Sequence, residues 1–186
     1  YMKSQKAGER AFENTTRFIE ETLKLRVNRS KSGVFRPSKT KFLGYTFVGT
    51  TGAPRAHKTS LTRLKDKLKV IFRRSRGTSL KFTISRVSQL LRGWRAYFAM
   101  DARVEIYREL DIHIRRHLRK LIWIAWKKPK TRETALIRRG LDSERAWKSS
   151  VNGRGAWWNA GALHMSHAYN NNCFRRLGLY SLELQY

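Results

Sequence analysis

ARVEIYRELDIHIRRHLRKLIWIAW, residues 102–126, is the stretch whose periodicity decides the fold. Tyr107, Leu110, Ile114, Leu118, Leu121 and Ala125 step three and four residues apart, the spacing of one apolar helix face. Upstream, Ser60 is placed to cap a helix whose apolar face is Leu61, Leu64, Leu68, Ile71 and Phe72, ended by Gly77. Ser85 is placed to cap a second, through Val87, Leu90, Leu91, Trp94, Tyr97 and Phe98. Downstream, Thr131 to Arg139 reads as a short helix stopped by Gly140, and Ser143 to Ser150 as a shorter one. A final helix is expected between Ala162 and Arg176.

Before Pro54 the pattern is mixed. Ala11, Phe12, Thr16, Phe18, Ile19 and Leu23 sit at helical spacing between about Ala7 and Lys24. Leu25-Arg26-Val27 alternates, and Lys41 to Val48 is aromatic and β-branched, as strands prefer. The first fifty residues therefore read as strand, helix, strand, strand, and a Gly49-Thr50-Thr51-Gly52-Ala53 loop closes them off. The expected class is α+β: a short mixed segment, residues 1–50, followed by a mainly helical bundle, residues 55–186. No internal repeat is visible.

The charge narrows the function. The chain has 186 residues, with 41 Lys+Arg against 13 Asp+Glu, a formal charge of +28. Such an excess repels itself when compact and calls for a polyanion: nucleic acid first, anionic lipid second. The hydrophobic content of 40%, with six Trp, seven Tyr and nine Phe, excludes a disordered basic arm. Leu121 to Trp126 is the longest aliphatic-aromatic run, far short of the ~20 apolar residues of a membrane span. No secretory leader pattern opens the sequence. A lone Cys173 forbids an intrachain disulfide, fits a reducing compartment and reads as a buried small hydrophobe. The opening residue, Tyr1, leads us to expect a processed chain or a fragment.

The cations cluster. Arg55 to Arg76 holds nine Lys/Arg and one acid, Asp66; Arg115 to Arg132 holds eight and none. Arg115/Arg119 and Arg116/Lys120 are like-charged i,i+4 pairs, each costing an isolated helix ~0.2–0.5 kcal/mol. Solvated faces normally mix signs, so these rows point to phosphate contacts. Trp123, Trp126, Trp157 and Trp158 lie nearby in sequence and offer rings for unpaired bases. Trp94, Tyr97 and Phe98 fit an apolar stripe instead.

Catalytic groups are scarce. Glu9/Glu13 and Glu105/Glu109 share helix faces but have basic neighbours, and no carboxylate dyad fits a two-metal site. His113 and His117 have the i,i+4 spacing of zinc ligands, yet Ile114-Arg115-Arg116 supplies no Glu base and crowds the site with cations. His164/His167 are three apart with no further ligand in the pattern. No Gly-rich phosphate loop or Gly-x-Ser-x-Gly elbow is present.

Five pieces in order carry a resemblance. Leu23 to Ser32 and Lys41 to Phe47 look like the last two blocks of a reverse transcriptase palm. Leu91-Arg92-Gly93-Trp94-Arg95-Ala96-Tyr97-Phe98, then Leu110 to Arg119, then Gly178-Leu179-Tyr180-Ser181-Leu182 resemble the thumb, or maturase-specific domain, of group II intron-encoded proteins. The resemblance implies RNA-directed DNA polymerisation joined to maturase activity, the binding that folds intron RNA for splicing. It implies that a Tyr-x-Asp-Asp metal-binding tip precedes Tyr1-Met2-Lys3-Ser4, read as a strand. The expected Mg2+ then belongs to that upstream palm, and no cofactor to this chain. The family's zinc-binding endonuclease module, with its Cys pairs, is missing from the pattern, as in the endonuclease-lacking type.

Carried over by position, the resemblance gives Lys31 a supporting role at the pyrophosphate leaving group. It makes Phe42, Leu43 and Gly44 the turn that supports the primer end, and Gly93-Trp94 a packing element. Arg63, Lys67, Arg74, Arg115, Arg116, Arg119, Lys120, Lys127 and Lys128 become the groove for intron RNA and template–primer. Implied partners are group II intron RNA, RNA/DNA template–primer and an upstream polymerase half, with no membrane; the implied setting is bacterial cytoplasm or an organellar matrix. Two other readings stay open: a stand-alone basic RNA-binding or assembly protein, and a non-functional remnant.

Overall fold

Ser4 starts the first helix by accepting a hydrogen bond from the Ala7 N–H at 3.2 Å, and α1 runs Gln5–Arg17. It widens into a π-helical turn, Phe18–Thr22, and stops at Lys24, whose φ is +54°. In this computed structural model residues 2–49 and 51–183 are described. What was expected of Tyr1 and Thr50 lies outside them. A 3-10 turn, Pro37–Lys39, leads to two short strands, β1 (Tyr45–Phe47) and β2 (Pro54–Ala56), which pair as a two-stranded sheet. The chain divides into two compact units, Tyr1–Pro54 and Arg55–Tyr186.

Two expected strands are corrected. Met2–Ser4 is the approach to a helix cap, and Leu25–Val27 is irregular chain. A strand is stabilised by the neighbour it pairs with, and neither segment has one among the described residues. Leu25, Phe35, Phe42 and Leu43 accordingly stay 60–68% exposed.

The second unit is helical: α2 (Lys58–Arg74), α3 (Leu80–Tyr97), α4 (Val104–Ala125), α5 (Pro129–Arg138), α6 (Ser143–Ser150), α7 (Ala156–Gly161), α8 (Leu163–Ala168) and α9 (Asn171–Arg176). The fold is thus α+β and mainly a helical bundle. Two caps fall upstream of their expected places. His57, not Ser60, caps α2 by accepting from the Thr59 N–H at 3.2 Å, and Ser79, not Ser85, caps α3 by accepting from the Phe82 N–H. The single helix expected between Ala162 and Arg176 is instead two, α8 and α9, after a separate α7.

Leu64, Leu68 and Phe72 of α2, Ile84, Val87 and Leu91 of α3, and Tyr107, Leu110, Ile114 and Leu118 of α4 form one buried cluster with Leu136, Met165, Phe174 and Leu182. Each such side chain contributes about 1.5–3 kcal/mol by leaving water. Tyr97 departs from the expected stripe, at 56% exposure, while Phe98 is buried. Cys173 is half-buried, with the Arg139 guanidinium donating to its Sγ at 3.6 Å.

Buried polar groups then fix the ends of the chain path. The Asp101 carboxylate accepts from the Ala56 N–H at 2.8 Å and from Arg103 Nε at 2.9 Å. Burial raises its pKa, but those hydrogen bonds outweigh burial and hold it below the usual carboxylate range. Ser88 donates to the Gly178 carbonyl at 2.9 Å and accepts from the Tyr180 N–H at 3.0 Å. Asp111 accepts from the Ser181 hydroxyl, the Leu182 N–H at 3.1 Å and the Glu183 N–H at 3.3 Å. Residues 178–183 are thereby laced across α3 and α4.

Candidate nucleic-acid interface

Helix α2 buries Ser60, Leu64, Leu68 and Phe72 and turns the opposite face to solvent. Arg63, Lys67 and Arg74 are exposed on that face, on a row of about 16 Å by helical rise. Lys65, Lys69 and Arg73 are exposed farther round the helix, and none of the six forms an ion pair among the described residues. An unscreened cation row on a rigid helix is suited to phosphate oxygens.

The cations of α4 behave differently. Arg119 is buried, donates from Nε to the Tyr169 carbonyl at 2.9 Å and lies 5.8 Å from the Phe174 ring centre. Burial, aided by the neighbouring Arg115, lowers its pKa from the ordinary value. Arg116 donates to the Trp157 carbonyl at 3.1 and 3.3 Å and covers the Trp157 ring at 4.3 Å. It fits there because residue 161 is glycine: a Cβ at Gly161 would stand 2.8 Å from the guanidinium carbon. Arg115 reaches Asp111 at 3.9 Å, and Lys120 lies 5.9 Å from the Trp157 ring. Of the α4 side chains expected to line a groove, Arg116, Arg119 and Lys120 thus pack α4 against α7 and the end of α8, while Arg115 pairs within its own helix. The Trp157 face expected for bases already carries Arg116.

Lys127 and Lys128 are exposed at the corner between α4 and α5. Beside them is a cleft of about 490 Å³ lined by Trp126, Lys130, Thr131, Thr134, Ala135, Arg138, Arg139 and Tyr169. Trp126 and Tyr169 lie 6.0 Å apart, and the Arg139 guanidinium sits 4.4 Å over the Tyr169 ring. The Trp126 carbonyl accepts from Arg132 Nε at 2.9 Å, which anchors the corner. Arg138, Arg139 and Tyr169 escaped the sequence reading. The run Lys127 to Arg139, with six cations against Glu133, carried the signal for the first two; nothing in sequence pointed to Tyr169.

In the first unit, Phe42 and Tyr45 exchange backbone hydrogen bonds of 2.9 and 2.8 Å around Leu43 and Gly44. Both central residues have positive φ, +48° and +82°, the pattern of a type I′ turn. Gly44 takes that conformation freely, whereas Leu43 holds it under strain with its side chain 68% exposed. Lys31 is exposed in a separate turn, its N–H donating to the Asn28 carbonyl at 3.0 Å.

Among the described residues no group of three or more His, Cys, Asp or Glu is placed to hold a metal. His117 stacks on Phe72 at 4.6 Å and meets His113 edge-on at 4.6 Å and Trp157 at 4.8 Å. Burial, with the nearby His113, Lys120 and Arg116, lowers its pKa to about 4. Burial, with Lys65 and Arg116, lowers that of His113 as well. The pair is a packing element between α2, α4 and α7. No helix among the described residues is long and apolar enough to cross a membrane.

The second unit is a basic helical bundle with an exposed cation row on α2, the kind of surface that suits a polyanion. Residues 61–140, which span most of α2 through α5, match the family model of the group II intron maturase-specific domain. Comparison with curated proteins finds no match. That match supports a maturase-related role in intron splicing for residues 61–140, with intron RNA as the implied partner.

Proposed function

We propose that the helical unit binds group II intron RNA through the outward face of α2 and the α4–α5 corner. The observation that carries this is the row Arg63, Lys67, Arg74, exposed and without ion pairs on a helix whose other face is core. Lys127, Lys128, Lys130 and Arg138 extend the cation surface beside a Trp126–Tyr169 cleft where a base can enter. Arg116 and Arg119 hold α7 and the end of α8 against α4.

Binding to structured RNA should fall steeply with salt: at ~6–10 phosphate contacts, affinity drops by about three to five decades between 50 and 200 mM. The triple variant R63E/K67E/R74E should lose at least about a hundredfold in affinity with an unchanged melting temperature. A salt slope near zero, or unchanged affinity in that variant, refutes the reading.

We further infer that residues 1–54 are the end of a reverse transcriptase palm whose sheet lies elsewhere, so that template–primer and an upstream polymerase half are additional partners. Support comes from the type I′ turn at Phe42–Tyr45 and from the exposed Leu25, Phe35, Phe42 and Leu43. In a stand-alone RNA-binding protein such side chains would be covered by the chain itself. Deleting residues 1–54 should leave the melting transition of the helical unit largely unchanged; a drop of more than about 10 °C would favour the stand-alone alternative.

A further inference from the structure

The α2 face is not the only place where cations outnumber acids. Between α3, α9 and the residues after α9 lie two adjoining clefts of about 450 and 420 Å³, which share Arg92 and Gly178. Lys81 and Arg92 line the first; Arg92, Arg115 and Arg175 line the second. Among the described residues Glu183 is the only carboxylate on either wall, and Arg108 Nε donates to it at 2.8 Å. The nearby Asp111 is occupied by Ser181, Leu182 and Glu183. Lys81, Arg92 and Arg175 form no ion pair among the described residues.

We propose that this double cleft is a second phosphate-binding subsite for an RNA strand, formed jointly by α3, α9 and the segment 178–183. The inference rests on the RNA-binding reading above and adds a separate place of contact. Two features make it a prepared site rather than a patch of mobile side chains. The Arg92 guanidinium is seated 5.7 Å from the Tyr180 ring centre, which fixes its position while leaving its donors available. The segment that carries Tyr180 is itself held by the Ser88 hydrogen bonds to Gly178 and Tyr180, so little ordering remains to be done on binding. Ser85, Gln89 and Asn172 add neutral donors and acceptors to the walls, suited to ribose hydroxyls and base edges. Arg175 lies outside the part that matches the maturase family model, so the site joins two regions of the chain that sequence separates widely.

The test uses the full chain, single-stranded and structured RNA, and inorganic phosphate as competitor. Arg92 and Arg175 are exposed, so R92A/R175A should keep the wild-type melting temperature. Its RNA affinity should fall about tenfold per residue, with the salt slope reduced by about 0.7–0.9 for each contact removed. The losses should add approximately to those of R63A/K67A, because Arg92 and Arg175 make no direct contact with Arg63 or Lys67, although Gln89 borders both Lys67 and the cleft. R92K/R175K, which keeps the charge, should recover part of the affinity. If R63A/K67A weakens binding while R92A/R175A does not, the cleft proposal fails and the α2 reading stands. If phosphate binds in the cleft but RNA affinity is indifferent to R92A/R175A, the site is one for the free anion and the proposal also fails. If wild-type chain binds no RNA, both fail together.

Discussion

Removing the Asp111 carboxylate is the most informative single perturbation of the helical unit. Asp111 is 3% exposed and serves three donors of the segment 181–183, among them the Leu182 N–H, whose own side chain is fully buried. A hydrogen bond to a charged acceptor contributes about 1.5–3 kcal/mol, and three on one carboxylate are less than additive. For D111A we therefore expect a loss of about 3–5 kcal/mol, the upper end applying if Leu182 leaves the core. That corresponds to a fall in melting temperature of about 10–15 °C for a unit of this size. D111N keeps the shape and one acceptor, so its loss should be about 1–2 kcal/mol. Urea unfolding followed by tryptophan fluorescence and by far-UV circular dichroism measures both. E144Q, at an exposed pair with Lys148, provides the baseline of a surface change. A D111A loss no larger than that of E144Q would refute the claim that the segment is pinned by this residue.

Other expectations follow from single sites. L118A removes a side chain with no exposure and should cost about 3 kcal/mol in the same denaturant assay. R119A should lower stability by about 2–3 kcal/mol, since the Tyr169 carbonyl loses its buried donor; a change confined to RNA affinity would overturn its structural role. S79A removes the α3 cap and should cost about 1 kcal/mol. The pKa of His117, lowered by burial to about 4, makes the unfolded chain bind more protons than the folded one between about pH 4 and 6.5. Stability should therefore fall as pH drops through that window, by about 1–2 kcal/mol after allowance for partial exposure, and H117F should flatten the dependence.

The helical half was legible because its periodicity is long and its stops are glycines. The spans of α4 and α6 agree with their apolar spacing to within two residues, and Gly77 and Gly140 stand past α2 and α5 with φ of +86° and +89°. Caps were harder. Ser60 and Ser85 have the right chemistry, but Ser79 stands directly before the apolar run that opens α3, and His57 is an unusual acceptor at a helix start. The direction of the α4 cations was not legible at all. Arg115 and Arg119 continue a row of four-residue steps from Asp111 along the flank of the apolar stripe, a hint at inward placement. What draws Arg116 and Arg119 inward, however, is the Trp157 and Tyr169 carbonyls, more than forty residues later in the chain. Residues 2–4 and 25–27 form no strand for a related reason: strand propensity describes a side of a partnership, and neither segment has a partner strand among the described residues.

The Asp111 pin also orders events in time. A chain that emerges residue by residue presents α4 well before Ser181, Leu182 and Glu183, some seventy positions later. Until those residues arrive, a carboxylate built for the interior faces three missing donors and a vacancy where Leu182 belongs. The bundle can collapse around α2, α3 and α4 during synthesis, but it locks only when the late segment docks. The same carboxylate thus ties the middle of the helical unit to residues that join the chain much later.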